Sequence, residues 1–206
     1  MNPRATSLMA ARWWRRRKSK TPADCRRYKG AGNWRCGWRV VRVYFRAMKG
    51  SPKVLAELNK ALREELTAIN QYFLHAELCE NWGYERLSEY IKKQSIGEMK
   101  HAEALMERIL FLDGTPSMQP LELSVGKDVR EMLESDLKLE VSAVKDYNTA
   151  IQIAVEEKDN GSRDLFLVLL KDEESHVDWL EAQVHQIKEL GYERYLTMQM
   201  GEFEEE

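Results

Sequence analysis

Glu98-Met99-Lys100-His101 and Glu173-Glu174-Ser175-His176 decide the reading of this chain. Each places a carboxylate three residues before an imidazole. On a helix that spacing stacks both side chains on one face, about one turn apart. One such pair offers two ligand groups to a single cation, and two pairs can serve two cations. The spacing alone does not settle the matter, since composition supplies roughly half an occurrence by chance. The sequence around the two motifs carries the rest.

Working outward, apolar periodicity predicts four long helices and a short fifth. The first runs from about Pro52 to Asn81, with Ser51 as N-cap, Pro52 in the first turn, and Leu55, Leu58, Leu62, Leu66, Ile69 and Phe73 as its inward stripe. The second runs from about Tyr84 to Leu112 and turns Leu87, Ile91, Ala102, Leu105 and Ile109 inward, with Asp113-Gly114-Thr115-Pro116 stopping it. Residues 113–126 show no period. A connection that long predicts a crossover along the bundle, placing the second and third helices parallel. The third helix is expected from about Asp128 to Lys158, with Leu133, Leu137, Val144, Tyr147 and Ile151 inward. Asp159-Asn160-Gly161-Ser162 reads as a turn in which Ser162 caps the fourth helix. That helix runs to about Leu190, turns Phe166, Leu170, Val177, Leu180, Val184 and Ile187 inward, and ends at Gly191. Residues 193–200 suit a short fifth helix, and the tail from Glu202 to Glu206 is expected to fray.

Each long helix interrupts its own apolar stripe with one glutamate: Glu65, Glu98, Glu140 and Glu173. Four buried carboxylates repel one another and are costly unless protonated or neutralised. No Lys or Arg stands beside them on these stripes. Two divalent metals bring a charge of +4 against four carboxylates, and His101 and His176 complete the two shells. A Glu from each of two helices plus a Glu-x-x-His from each of the other two is the known signature of di-iron and di-manganese carboxylate bundles. Mixed carboxylate and imidazole ligation suits iron or manganese better than a closed thiolate zinc site. His75 and His185 lack a glutamate three residues earlier and read as ordinary, partly exposed histidines.

Composition divides the chain in two. Residues 1–47 carry fourteen Lys or Arg and one acid, Asp24, whereas residues 48–206 carry eighteen basic and thirty-three acidic residues. The acidic part argues against nucleic-acid binding. Three sparse cysteines, Cys25, Cys36 and Cys79, fit a reducing compartment better than a disulfide scaffold. No apolar run approaches the roughly 18 residues of a membrane span.

The segments Ala68-Ile69-Asn70-Gln71-Tyr72-Phe73-Leu74-His75, Glu98-Met99-Lys100-His101-Ala102-Glu103, Arg108-Ile109-Leu110-Phe111-Leu112 and Asp172-Glu173-Glu174-Ser175-His176-Val177-Asp178-Trp179-Leu180 resemble the bacterioferritins. The resemblance covers residues 48–206 and none of 1–47. It implies an all-α, ferritin-like four-helix bundle. It also implies a ferroxidase that oxidises Fe²⁺ and stores it as ferric mineral in a hollow, cytoplasmic shell of twenty-four copies. By position, Glu65 and Glu140 are the expected terminal ligands, Glu98 and Glu173 the bridging ligands, and His101 and His176 one ligand to each iron. Tyr72 matches a tyrosine close to the di-iron centre. Met99 matches the axial ligand of a haem b shared by two subunits, which would aid iron release with electrons from a partner such as a ferredoxin. The spacing is compatible, because Met99 lies about 100° around the helix from Glu98. The chain departs from the family at Lys93, Gln94 and Gly97, where some members carry His and acidic residues facing the cavity. The resemblance therefore gives no support for an accessory iron site there.

Two other classes share parts of this pattern. A di-metal peroxidase or manganese catalase uses the same ligand set. A metal-free structural bundle with a basic, nucleic-acid-binding leader would need no ligands at all. The leader itself fits an organelle transit peptide, a polyanion-binding tail, or upstream sequence translated from a start placed too early. The abrupt change of composition at Met48 favours the last. N-terminal sequencing of natively expressed protein should then find Met48 first, and recovery of residues 1–47 on the chain would contradict it.

Overall fold

A computed structural model of the protein describes residues 49–201. The expectations for residues 1–47, the start at Met48 and the tail from Glu202 lie outside the described residues. Five helices follow in order: α1 (Pro52–Asn81), α2 (Glu85–Phe111), α3 (Val129–Glu156), α4 (Asn160–Leu190) and the short α5 (Tyr192–Gln199). The four long ones form a bundle in which α1 neighbours α2 and α3, and α4 neighbours α3 and α2.

Local chemistry accounts for the helix ends. The Ser51 side chain accepts from the Lys53 backbone N–H, and Asp128 caps α3 by accepting from Glu131. At α4 the expectation of a Ser162 cap is corrected. Asp159 is the N-cap, accepting from the Ser162 N–H, and the helix begins three residues earlier than predicted. The buried Ser162 hydroxyl donates to Asp159 and accepts from Arg108 Nε, while the Arg108 guanidinium also donates to Asp159. An arginine from α2 thus fixes the start of α4. Gly191, at φ 84°, takes the left-handed backbone that turns α4 into α5.

The crossover is held by a row of polar side chains on α1. Asn59 accepts from the Ser117 N–H, Arg63 donates to the Gln119 carbonyl, Thr67 accepts from Leu121 and Gln71 accepts from Ser124. These residues are four apart, so they form one stripe along the helix. Their partners advance in the same direction as α1. The crossover therefore runs the length of the bundle, and α3 starts parallel to α2 as the sequence implied. Gly126 ends the crossover against α3, where an added Cβ would lie 2.2 Å from the Met132 nitrogen.

Two sequence expectations fail at α1. Phe73 is half-exposed, under Lys92 at the α1–α2 surface. The inward face instead follows Val54, Leu58, Leu62, Glu65, Ala68, Tyr72, Ala76 and Cys79. His75 is fully buried, unlike the exposed His185. Its Nδ1 lies 3.0 Å from Asp136 Oδ2, and Gln71 donates to Asp136 Oδ1 at 2.7 Å. A buried carboxylate needs such partners.

The core is divided in two. One apolar cluster gathers around Leu58, Leu62, Leu105, Ile109, Tyr147 and Phe166. The other gathers around Tyr72, Ile91, Met132, Leu133, Leu180 and Tyr195. Each fully buried aliphatic side chain contributes roughly 1.5–3 kcal/mol. Between the clusters lies a polar layer, which the helices place at mid-length. Gln71 links crossover, α1 and α3, so Gln71→Leu, which removes one bond to the buried Asp136 and leaves the Ser124 N–H unpaired, should cost about 1–3 kcal/mol. Thermal unfolding at fixed protein concentration checks this, and an unchanged melting temperature would show the row to be dispensable.

Candidate metal centre

The polar layer consists of Glu65 from α1, Glu98 and His101 from α2, Glu140 from α3, and Glu173 and His176 from α4. Glu65, Glu98, Glu140 and Glu173 are all at most 4% exposed. They form two overlapping groups. Glu65, Glu98, His101 and Glu173 bring one ligand atom each within 4.8 Å of one another, and so do Glu98, Glu140, Glu173 and His176. The three-residue spacing on α2 and α4 turns each histidine back onto its own glutamate, at 2.9 Å for His101 with Glu98 and 3.3 Å for His176 with Glu173.

Glu98 and Glu173 belong to both groups. Glu98 turns Oε2 to His101 Nδ1 and Oε1 to His176 Nδ1, at 2.9 and 3.1 Å. Glu173 turns Oε1 to His101 Nδ1 and Oε2 to His176 Nδ1, at 3.2 and 3.3 Å. Glu65 and Glu140 each face one histidine, at 3.5 Å from His101 and 3.8 Å from His176. Among the described residues, no lysine or arginine pairs with any of the four carboxylates.

The donor set fits metal. Glu98 Oε1 and Oε2, Glu173 Oε1, His101 Nδ1 and His176 Nδ1 are buried without a hydrogen-bond partner. Unpaired polar atoms at this depth are rare in folded proteins, and here they converge on one another. The outward Nε2 of His101 lies 3.4 Å from Asp172, a contact of the kind that orients a ligand histidine.

Without metal the layer holds protons. Burial pushes the Glu65 carboxyl well above its ordinary range, and the Glu173 and Glu98 charges reinforce this against the pull of His101. Burial raises Glu140 likewise, with His176 opposing and Glu173 reinforcing. For the histidines, burial favours the neutral ring, but the charges of the facing carboxylates outweigh it. Glu140 and Glu173 lift His176 to about 11, and Glu173, Glu65 and Glu98 lift His101 well above its usual value. Glu173 is the opposite case: burial would raise it, yet His101 and His176 hold it below the carboxylate range.

Two tyrosines bracket the layer. The Tyr72 hydroxyl donates to Glu140 Oε1, and the Tyr147 hydroxyl donates to Glu65 Oε1. The sequence singled out Tyr72 through the resemblance and read Tyr147 only as core. The signal that could have found it is register: Tyr147 lies seven residues after Glu140, as Tyr72 lies seven after Glu65. Met99 is 46% exposed and points out of the bundle, away from the layer. The layer is approached from two opposite sides. A small recess lined by Glu64, Ala68, Leu139 and Ala143 reaches the carboxylates between α1 and α3. A wider one lined by Gly97, Lys100, Asp172 and Ser175 reaches the histidines between α2 and α4.

A bundle with this crossover, each long helix turning one glutamate into a shared layer, is of the ferritin-like class, and the ferritin family model, described as a ferritin-like domain, matches residues 55–190. The bacterioferritin of Brucella melitensis is 46% identical over 149 residues, which is 72% of this chain and 92% of that protein. A bacterial ferritin of a Synechocystis species is 44% identical over 156 residues, 75% of this chain and 100% of that protein, and the bacterioferritin of Mycolicibacterium paratuberculosis is 44% identical over 149 residues, 72% and 94%. The chain belongs to the bacterioferritin family, whose members store iron.

The trapped protons give the metal-free layer a pH signature. Glu65, Glu140, His101 and His176 keep protons in the folded state that the unfolded chain has released above its ordinary carboxylate and imidazole ranges. Stability from these groups therefore falls as pH rises. Glu173 acts oppositely, but its contribution is complete above the ordinary carboxylate range and is lost only as pH falls through and below that range. Metal-free protein should melt at progressively lower temperature from about pH 7 to about pH 9. A saturating divalent metal, which replaces those protons, should raise the melting temperature more at the higher pH. A flat or rising profile without metal would contradict the proton-holding layer.

Proposed function

We propose that this protein stores iron by oxidising Fe²⁺ at a di-iron centre in each subunit, held by Glu65, Glu98, His101, Glu140, Glu173 and His176. The ferric product collects as mineral inside a closed shell of twenty-four copies. The observation that carries the reading is the shared carboxylate pair. Glu98 and Glu173 each turn one oxygen to His101 and the other to His176. A carboxylate so placed can bridge two ions, and Glu65 and Glu140 then close the outer ends.

Iron held there would supply the redox chemistry, two one-electron donors side by side for the reduction of dioxygen or hydrogen peroxide. The chain's own residues do the rest. The four glutamates supply four negative charges against two divalent ions. His101 and His176 give up their Nδ1 protons as metal binds. The apolar clusters on both sides limit water at the layer. Tyr72 holds Glu140 in place through its hydroxyl. The two recesses offer separate routes for incoming Fe²⁺ and outgoing product.

Met99 is the proposed axial ligand of a haem b shared between two subunits. Its thioether is a soft donor, it is half-exposed, and Ile96, one turn earlier, and Phe73 expose further apolar surface on the same side. Haem bound there would carry electrons inward from a reductant such as a ferredoxin, for iron release. The free thiol of Cys79 accords with a cytoplasmic location. Among the described residues no helix is long and apolar enough to cross a membrane.

Glu65→Ala and His176→Ala should each lose rapid Fe²⁺ oxidation, by about 100-fold or more, while assembly stays intact on size-exclusion chromatography. Unchanged oxidation in both would refute the centre. Met99→Leu should remove the haem absorption and leave oxidation near normal, whereas an unchanged haem spectrum would place the ligand elsewhere.

A further inference from the structure

We infer that Tyr147 is a positioning residue of the metal centre: its hydroxyl fixes Glu65 so that Oε2 is presented to the position shared with His101. The inference rests on the di-metal reading above and extends it to a residue outside the ligand set.

Tyr147 is 2% exposed and donates to Glu65 Oε1, the oxygen turned away from the histidine. Glu65 Oε2 is the atom facing His101 Nδ1, at 3.5 Å. A carboxylate with both oxygens free can rotate about its last bond. Anchoring Oε1 removes that freedom and leaves Oε2 for a cation. The phenol is itself held, because its ring packs against Phe166 with centroids 6.0 Å apart.

Register makes the arrangement reciprocal. Tyr72 follows Glu65 on α1 by seven residues, and Tyr147 follows Glu140 on α3 by seven. Seven residues rise about 10.5 Å along a helix, and long side chains lean back towards the N-terminus. Each tyrosine therefore returns to the level of the layer and meets the carboxylate of the neighbouring helix. Tyr147 belongs to one apolar cluster and Tyr72 to the other, so the two phenols close the layer from opposite ends. The pair is not equivalent in detail. Tyr72 engages Glu140 Oε1, the oxygen that also faces His176, whereas Tyr147 engages the rear oxygen of Glu65.

A tyrosine that only fills core would be replaced by phenylalanine without consequence for metal. The test is a Co²⁺ titration, followed by visible absorption, of metal-free, assembled full-length protein. Wild type should take two equivalents per subunit. Tyr147→Phe should keep one at wild-type affinity and weaken the other about tenfold or more, and Glu65→Gln/Tyr147→Phe should bind no more weakly than Glu65→Gln alone. Two wild-type equivalents in Tyr147→Phe would overturn the inference, as would an equal loss in the Glu65→Gln background, since the hydroxyl would then not act through Glu65. Failure of wild type to take two Co²⁺ would overturn the di-metal reading, and this inference with it.

Discussion

Four carboxylates buried at one level of a helical bundle are the constraint on which this structure depends. Each is nearly inaccessible, and no lysine or arginine among the described residues reaches them. An uncompensated buried charge is worth several kcal/mol of instability, so the layer must carry protons or cations. The structure provides for both. Two histidines aim Nδ1 atoms into the layer, and burial makes the outer carboxyls hold protons when no metal is present. Folding and the charge state of the layer are thereby linked through the same six side chains.

The rest of the fold keeps that layer level. Two helical hairpins, α1–α2 and α3–α4, each bring one lone glutamate and one Glu-x-x-His. The crossover must place the second hairpin against the first with the glutamates in register. The stripe Asn59, Arg63, Thr67 and Gln71 sets the path of the crossover, and Gln71 joins it to the His75–Asp136 pair beyond the layer. At the other end Arg108 ties the end of α2 to the cap of α4. Apolar clusters above and below then seal the layer. The contacts that set the topology also keep the carboxylate layer in register.

Much of this was legible in the residues. The helix bounds follow from Ser51, Pro52 and Asp128, and the ligand layer from glutamates interrupting apolar stripes. What was not legible depends on partners distant in sequence. His75 looked ordinary because Asp136, its partner, is 61 residues away and leaves no local mark. Phe73 lies eighteen residues, or five helical turns, after Leu55, and both stand on the edge of the inward face, whose centre runs through Val54, Leu58, Glu65, Ala68 and Tyr72. Ser162 resembled a cap because it lies in a turn-rich run. Asp159 takes that role because its carboxylate also receives Arg108 from another helix. Tyr147 was visible as a core residue, and only its contact with Glu65 gives it a part in the site.

The central claim, that the buried carboxylates exist to hold two metal ions, is tested most directly by anomalous diffraction at the iron edge from crystals soaked anaerobically in Fe²⁺. The account predicts two peaks in each subunit, both between Glu98 and Glu173, one beside Glu65 and His101 and the other beside Glu140 and His176. A map with no peak in the layer, or with iron bound only on the surface, would contradict it.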